Sequence, residues 1–136
     1  MKSNNRKLKG MTLTELLVVL AIMGILILMA FPILAPLFQR AHATEAKLNL
    51  KHLADLQKVY FLEHTKYAGD FTELGFEQAV LSDTEGGTAN YRIEILASSP
   101  QDFRATATAI RDFDGDGVFN VWEIDKGNVP REVVPD

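Results

Sequence analysis

Lys9-Gly10-Met11-Thr12-Leu13-Thr14-Glu15-Leu16-Leu17 opens a run that carries no formal charge from Leu16 to Gln39 and closes at Arg40. Roughly 20 apolar residues take a helix across a bilayer, so Leu16 to Gln39 is long enough to span. Glu15 sets this run apart. It puts a carboxylate on the edge of the span, where an unpaired charge is costly, and a plain anchor has no use for it.

Two ordinary readings of this N-terminus leave residues unexplained. A secretory signal combines a basic start, an apolar core of about 7 to 15 residues and a small-residue cleavage site. Ala41-His42-Ala43 fits the last requirement, but the core is too long, Pro32 and Pro36 interrupt it, and Arg40 sits just before the site. A one-span anchor with a positive cytoplasmic flank accounts for length and charge, and gives Gly10 and Glu15 no role.

The basic stretch ending in Gly10, Met11 after it, Glu15 five residues into the remaining chain and the long apolar helix together resemble the type IV pilin and pseudopilin superfamily. The resemblance implies that a prepilin peptidase removes residues 1–10 as a leader by cutting after Gly10, and then N-methylates Met11. Most members begin their mature chain with phenylalanine, and this one would begin with Met11. Glu15 falls where the family places its assembly glutamate. The resemblance also implies a precursor in the inner membrane, an inner-membrane assembly platform, and self-assembly into a helical filament through the N-terminal helix. It covers Met1 to about Phe76 closely and the following sheet region in outline.

Physical chemistry gives Glu15 a reason to be there. Cleavage at Gly10 would place an amine and a carboxylate close together at the head of an apolar helix, and in a packed filament the glutamate of one subunit can meet the amine of its neighbour. The alternative is solvation of Glu15 among lipid headgroups. Gly24 and Pro32 are the expected weak points of the helix, since Pro32 cannot bond back to the carbonyl of Leu28 and its ring crowds that turn. The family resemblance implies that this stretch loosens on entering the filament; a static kink is the alternative.

Beyond Arg40 the pattern turns amphipathic. Ala43, Ala46, Leu50, Leu53, Tyr60 and Phe61 recur at three- and four-residue spacing with Gln57 filling one step, while Glu45, Lys47, Lys51, Asp55 and Lys58 face elsewhere. The helix is therefore expected to continue to about residue 65, roughly 80 Å from Met11 at the usual rise. Residues 11–39 form the apolar assembly helix and 40–136 the globular domain, divided into an amphipathic helix at 40–66, a loop region at 67–89 and a sheet with its terminal loop at 90–136. The aromatic stripe reads as core, and His42, His52 and His64 lack a metal-ligand spacing.

Gly69-Asp70 marks a turn, Phe71 to Leu74 a short helical turn before Gly75, and Ser82 to Thr88 a loop. Asn90 to Ala97 and Gln101 to Ile110 read as strands turned by Ser98-Ser99-Pro100, with Tyr91, Ile93 and Ile95 on one buried face. The expected fold is thus α+β, the type IV pilin arrangement of a long N-terminal helix laid on a small antiparallel sheet.

The second chemical signal is Asp112-Phe113-Asp114-Gly115-Asp116-Gly117-Val118-Phe119-Asn120-Val121-Trp122-Glu123. Oxygen donors fall at loop positions 1, 3, 5, 9 and 12 with glycine at 6, which is the spacing of an EF-hand-type calcium loop. Asp112, Asp114, Asp116, the Val118 carbonyl, Asn120 and Glu123 would supply the six to eight oxygens that Ca²⁺ prefers, and no softer ligand invites zinc. Asp-Gly pairs also turn hairpins. Against that, three crowded aspartates repel one another without a cation, and in a cysteine-free chain an ion could serve as the missing staple.

Charge and motif content narrow the function. The leader holds four of the 14 basic residues and none of the 18 acids, so ten bases against eighteen acids leave the remainder at −8. That balance argues against nucleic acid as a partner. Neither a Gly-x-Ser-x-Gly elbow nor a phosphate loop is present, and there is no cysteine, so no enzymatic activity is expected. The expected function is a structural subunit of a type IV pilus serving adhesion, surface motility or DNA uptake, ending in an extracellular pilus. A type II secretion pseudopilin in a periplasmic pseudopilus is the alternative, and a membrane-anchored calcium-binding module the third.

Overall fold

The computed structural model describes residues 10–113 and 115–135, apart from the side chains of residues 34–36. The leader residues before Gly10, and Asp114, lie outside the described residues. In chain order the elements are α1 (Leu13–His64), α2 (Phe71–Leu74), β1 (Tyr91–Ser98), β2 (Phe103–Ala109), β3 (Val121–Asp125) and β4 (Arg131–Val134). The chain divides into two compact units, Met1–Pro36 and Leu37–Asp136, close to the 39/40 boundary read from the charge pattern.

In the first unit the helix runs without interruption through Gly24 and Pro32. Every described side chain from Met11 to Ile33 is exposed, including Leu16, Val19, Ile27 and Phe31. A Cβ at Gly24 would meet nothing within 4 Å, so no packing contact within the subunit requires glycine there. This helix is long and apolar enough to cross a membrane.

The second unit is a four-stranded antiparallel meander in the order β1-β2-β3-β4, with the α1 residues beyond Pro36 packed on one face. Strand β2 reads Phe-Arg-Ala-Thr-Ala-Thr-Ala, and its alternation turns Ala105, Ala107 and Ala109 inward. Register sets bulk beside these alanines: Ile93 and Trp122 flank Ala107, and Ile95 and Ile124 flank Ala105. The small row down the sheet leaves room for Leu50 and Leu53 of α1, both fully buried in the same cluster. Burying two such leucines contributes about 2 kcal/mol each.

Gln57 is the polar step in the apolar stripe, and the fold explains it. Its side chain is fully buried. Nε2 donates to the Ala68 carbonyl at 2.8 Å, and Oε1 accepts from the Ala68 amide at 2.8 Å. The amide thus imitates a strand and satisfies both backbone groups of a residue that is itself fully buried. The clamp grips the chain just after Thr65, whose φ of 58° ends α1 in a conformation costly for a β-branched residue.

Other long-range bonds tie helix to sheet. Glu45, expected to face away, is half-buried and accepts from the Asn90 amide at 2.7 Å and from Asn90 Nδ2 at 2.9 Å. Helix α2 forms at the expected residues: Asp70 caps it by accepting from the Thr72 amide and hydroxyl, which holds its carboxyl below the ordinary value, and Gly75 closes it at φ 63°. The Ser82 to Thr88 loop is pinched at its neck, where the Thr88 and Ala89 amides both donate to the Val80 carbonyl. A side chain at Gly87 would stand 1.8 Å from the Leu81 carbonyl oxygen, so Gly87→Ala must open this loop.

Gln57→Leu roughly keeps the volume and continues the apolar stripe but strands the Ala68 amide and carbonyl. The expected cost is about 3 kcal/mol, read as a lower urea midpoint of the globular unit. An unchanged midpoint would mean that Ala68 finds other partners.

Candidate functional site

Two constellations carry the chemistry expected from the sequence. The first stands at the head of α1. Gly10 and Met11 are exposed and non-helical, and nothing lies within 4 Å of a Cβ at Gly10, so the Gly10–Met11 bond lies outside the helix. Thr12 caps the helix. Its carbonyl accepts the first helical bond from the Leu16 amide at 3.2 Å, and its hydroxyl accepts from the Glu15 amide at 3.3 Å. Glu15 returns the favour, with Oε2 accepting from the Thr12 amide at 2.8 Å and the Thr12 hydroxyl at 3.0 Å. This is a capping box, in which two otherwise orphaned helix-end groups satisfy each other. Glu15 therefore has partners within its own subunit, an arrangement the Thr-x-x-Glu spacing could have revealed.

The second constellation is the aspartate loop between β2 and β3. Asp112 organises it: one carboxylate oxygen accepts from the Gly115 amide at 2.6 Å and the other from the Gly117 amide at 2.7 Å. Asp116 accepts from the Val118 amide at 2.7 Å. Gly115 and Gly117 have φ of 83° and 88°, the left-handed region that glycine enters freely. Phe113 stacks on His42 of α1 at 4.3 Å and leans on Tyr91 at 6.0 Å, which fixes the start of the loop.

Asn120 and Glu123 do not join that loop. Asn120 is buried at 3% exposure. Its Oδ1 accepts from the Tyr91 hydroxyl at 2.8 Å and the Trp122 indole at 2.6 Å, while Nδ2 donates to Glu132 at 2.8 Å and to the Val134 carbonyl at 3.0 Å. Glu123 lies within β3, opposite Thr106 and Arg131, with its carboxylate 3.6 Å from both Arg104 and Arg131. The reason is local. In a helix-loop-helix unit the twelfth residue sits on a helix that swings it back toward the ion, whereas β3 begins at Val121 and carries Glu123 away along a strand. Among the described residues no three acidic, histidine or cysteine side chains are grouped closely enough to hold a metal. Asp114 lies outside them.

Asn120 has a role that spacing alone could not reveal. With Tyr91, Trp122, Glu132 and Val134 it joins β1, β3 and β4 at one buried point, and Lys47 of α1 covers Trp122 at 4.2 Å from the ring. Such a fully satisfied buried amide stabilises one arrangement of strands over others.

An apolar helix headed by a capped glutamate, followed by a helix-backed antiparallel meander, is the α+β arrangement of the type IV pilin fold. Comparison with known proteins agrees. Residues 5–31 match the prokaryotic N-terminal methylation motif. Residues 37–117 match the family described as type IV minor pilin ComP, DNA uptake sequence receptor. The type IV major pilin protein PilA of Myxococcus xanthus (strain DK1622) is 37% identical over 93 residues, which are 68% of this chain and 40% of that protein. The chain belongs to the type IV pilin superfamily.

Asn120→Ala should destabilise the globular unit by about 3 kcal/mol, because Tyr91 and Trp122 lose their shared acceptor. The loss should be equal in calcium and in EDTA, and the fluorescence of Trp122, the single tryptophan, should change with it. Glu123→Gln, whose arginine partners are mostly exposed, should cost under about 1 kcal/mol. A larger loss for Glu123→Gln than for Asn120→Ala would reverse this assignment.

Proposed function

We propose that the chain is a structural subunit of a type IV pilus, made as an inner-membrane precursor, cut after Gly10 by a prepilin peptidase, and added by an assembly platform to an extracellular filament. The observation that carries the proposal is the wholly exposed apolar helix headed by Glu15. In water such a surface is untenable; in a bilayer or a filament core it is covered. The similarity to a major pilin favours a pilus over the pseudopilus of a type II secretion system.

Adhesion and surface motility fit this subunit better than sequence-specific DNA capture. The family matched at residues 37–117 is described as a DNA uptake sequence receptor, yet the chain beyond the leader carries ten basic against eighteen acidic residues. Two of its arginines are further neutralised: Arg131 pairs with Asp125 at 2.6 Å, and both Arg104 and Arg131 stand at Glu123. Phosphate binding needs unpaired positive charge. The subunit acts by assembly and has no catalytic role.

Calcium remains part of the proposal for the first half of the loop, through Asp112, Asp114, Asp116 and the Val118 carbonyl. A carboxylate oxygen can accept an amide and ligate an ion as well, so the bonds from the Gly115 and Gly117 amides do not bar it. Asn120 and Glu123 are committed elsewhere and drop out of the ligand set. With so few ligands the affinity should be weak, about 10⁻⁴ to 10⁻³ M. Millimolar calcium should raise the melting temperature of wild type and Glu123→Gln alike; no rise in either would leave the loop as a turn.

Two outcomes test the main proposal. Mass spectrometry of sheared filaments should find a mature chain beginning at Met11, carrying one N-methyl group; a chain beginning at Met1 or Thr44 would contradict it. Glu15→Ala should insert normally while surface filaments fall at least tenfold, as expected when a partly buried charge pair loses one member. Normal filament numbers would remove Glu15 from assembly.

A further inference from the structure

The loop between β2 and β3 carries an apolar pair that the core does not use. Val118 and Phe119 stand next to each other at 40% and 46% exposure. A single exposed apolar residue needs no explanation, so the place of this pair in the fold decides what it means. The carboxylates nearby are engaged with the loop's own backbone: Asp112 accepts from the Gly115 and Gly117 amides, and Asp116 from the Val118 amide.

The second unit fixes that place without reference to the first. Its part of α1 starts with Leu37 and Phe38, both exposed, and meets its first charge at Arg40. The loop is anchored just beyond. Phe113 stacks on His42 at 4.3 Å, and on the far side of the loop Trp122 lies under Lys47. The same end of the sheet is tied to α1 by the bond from the Asn90 amide to Glu45. The opposite end is tied by Asn128 to Asp55, about 20 Å further along the helix from His42 at the usual rise. Val118 and Phe119 therefore leave the sheet at the end where the apolar run gives way to charge.

We propose that Val118 and Phe119 contact the phospholipid surface in the membrane-inserted precursor, entering the headgroup layer beside the point where α1 leaves the bilayer. This rests on the membrane-inserted precursor proposed above. The distances allow it. The headgroup layer extends roughly 5 to 8 Å beyond the hydrocarbon on each side, and His42 lies only about 3 Å along the axis from Arg40. A side chain carried on the Phe113 to Trp122 segment is thus held at the depth where interfacial apolar residues settle. The contact extends the exposed Leu37 and Phe38 of α1 into a second, separate segment of chain, and it limits rotation of the globular unit about the exit point of the helix.

The chain has no cysteine, so one introduced thiol can carry a nitrobenzoxadiazole fluorophore without background labelling. The full chain is placed in phosphatidylcholine nanodiscs, and quenching by lipids with a nitroxide in the headgroup region is measured. Three positions are compared: Phe119→Cys in the loop, Val129→Cys at the opposite end of the sheet, and Phe31→Cys within the apolar span with the nitroxide moved to the acyl chain. All three residues are exposed, so none of the labels replaces core, and unchanged Trp122 emission reports an intact sheet. Quenching at 119 should be about threefold stronger than at 129, as expected for residues settled 5 to 10 Å into the interface. With the label at Val118→Cys instead, Phe119→Asp should lower the quenching to the level seen at 129. Equal quenching at 119 and 129, or no loss in Phe119→Asp, alongside strong quenching at 31, would overturn the lipid contact and leave membrane insertion standing. Absence of quenching at 31 would remove both.

Discussion

A carboxylate at the head of an apolar helix must be satisfied wherever the subunit goes, and the first unit is organised around that constraint. Thr12 meets it within one chain, through a capping box that ends the helix and occupies one oxygen of Glu15. The remaining exposed surface, Leu16 through Ile33, has no cover of its own. An exposed apolar surface of this kind calls for a cover, and lipid or copies of the same helix could each supply it.

The globular unit solves a separate problem, that of stabilising a small sheet with no disulfide. Its answer is a set of side-chain amides, two of them buried, at points where distant segments meet. Gln57 clamps Ala68, Asn120 joins three strands, and Asn90 donates to Glu45. Each satisfies backbone or side-chain groups that the alanine-lined core would leave unpaired, and each would cost more to break than one more apolar contact would add.

Local signals were legible in the sequence. The apolar run, the stripe through Ala46, Leu50 and Leu53, the turn at Phe71 to Leu74 and the first two strands all follow from short-range pattern. The capping box was legible as well, since Thr12 and Glu15 stand at its spacing. What stayed hidden were partners far apart in the chain. Asn120 suits a calcium ligand and a buried hub equally well by residue type. Only its bonds to Tyr91 and Glu132 separate the two. Strand β3 was obscured for the same reason: the acidic spacing drew Glu123 into a loop, while the inward pair Trp122 and Ile124 carried the alternation of a strand. Glu45 looked like a solvated charge because Asn90 lies 45 residues away.

The central claim is the proposal that Glu15 joins subunits of a filament. A density map of the intact filament, resolved well enough to place side chains, tests it directly. The account predicts the Met11 amine of one subunit within hydrogen-bond distance of the Glu15 carboxylate on its neighbour. A filament in which Glu15 faces solvent, or contacts no second copy, would contradict it.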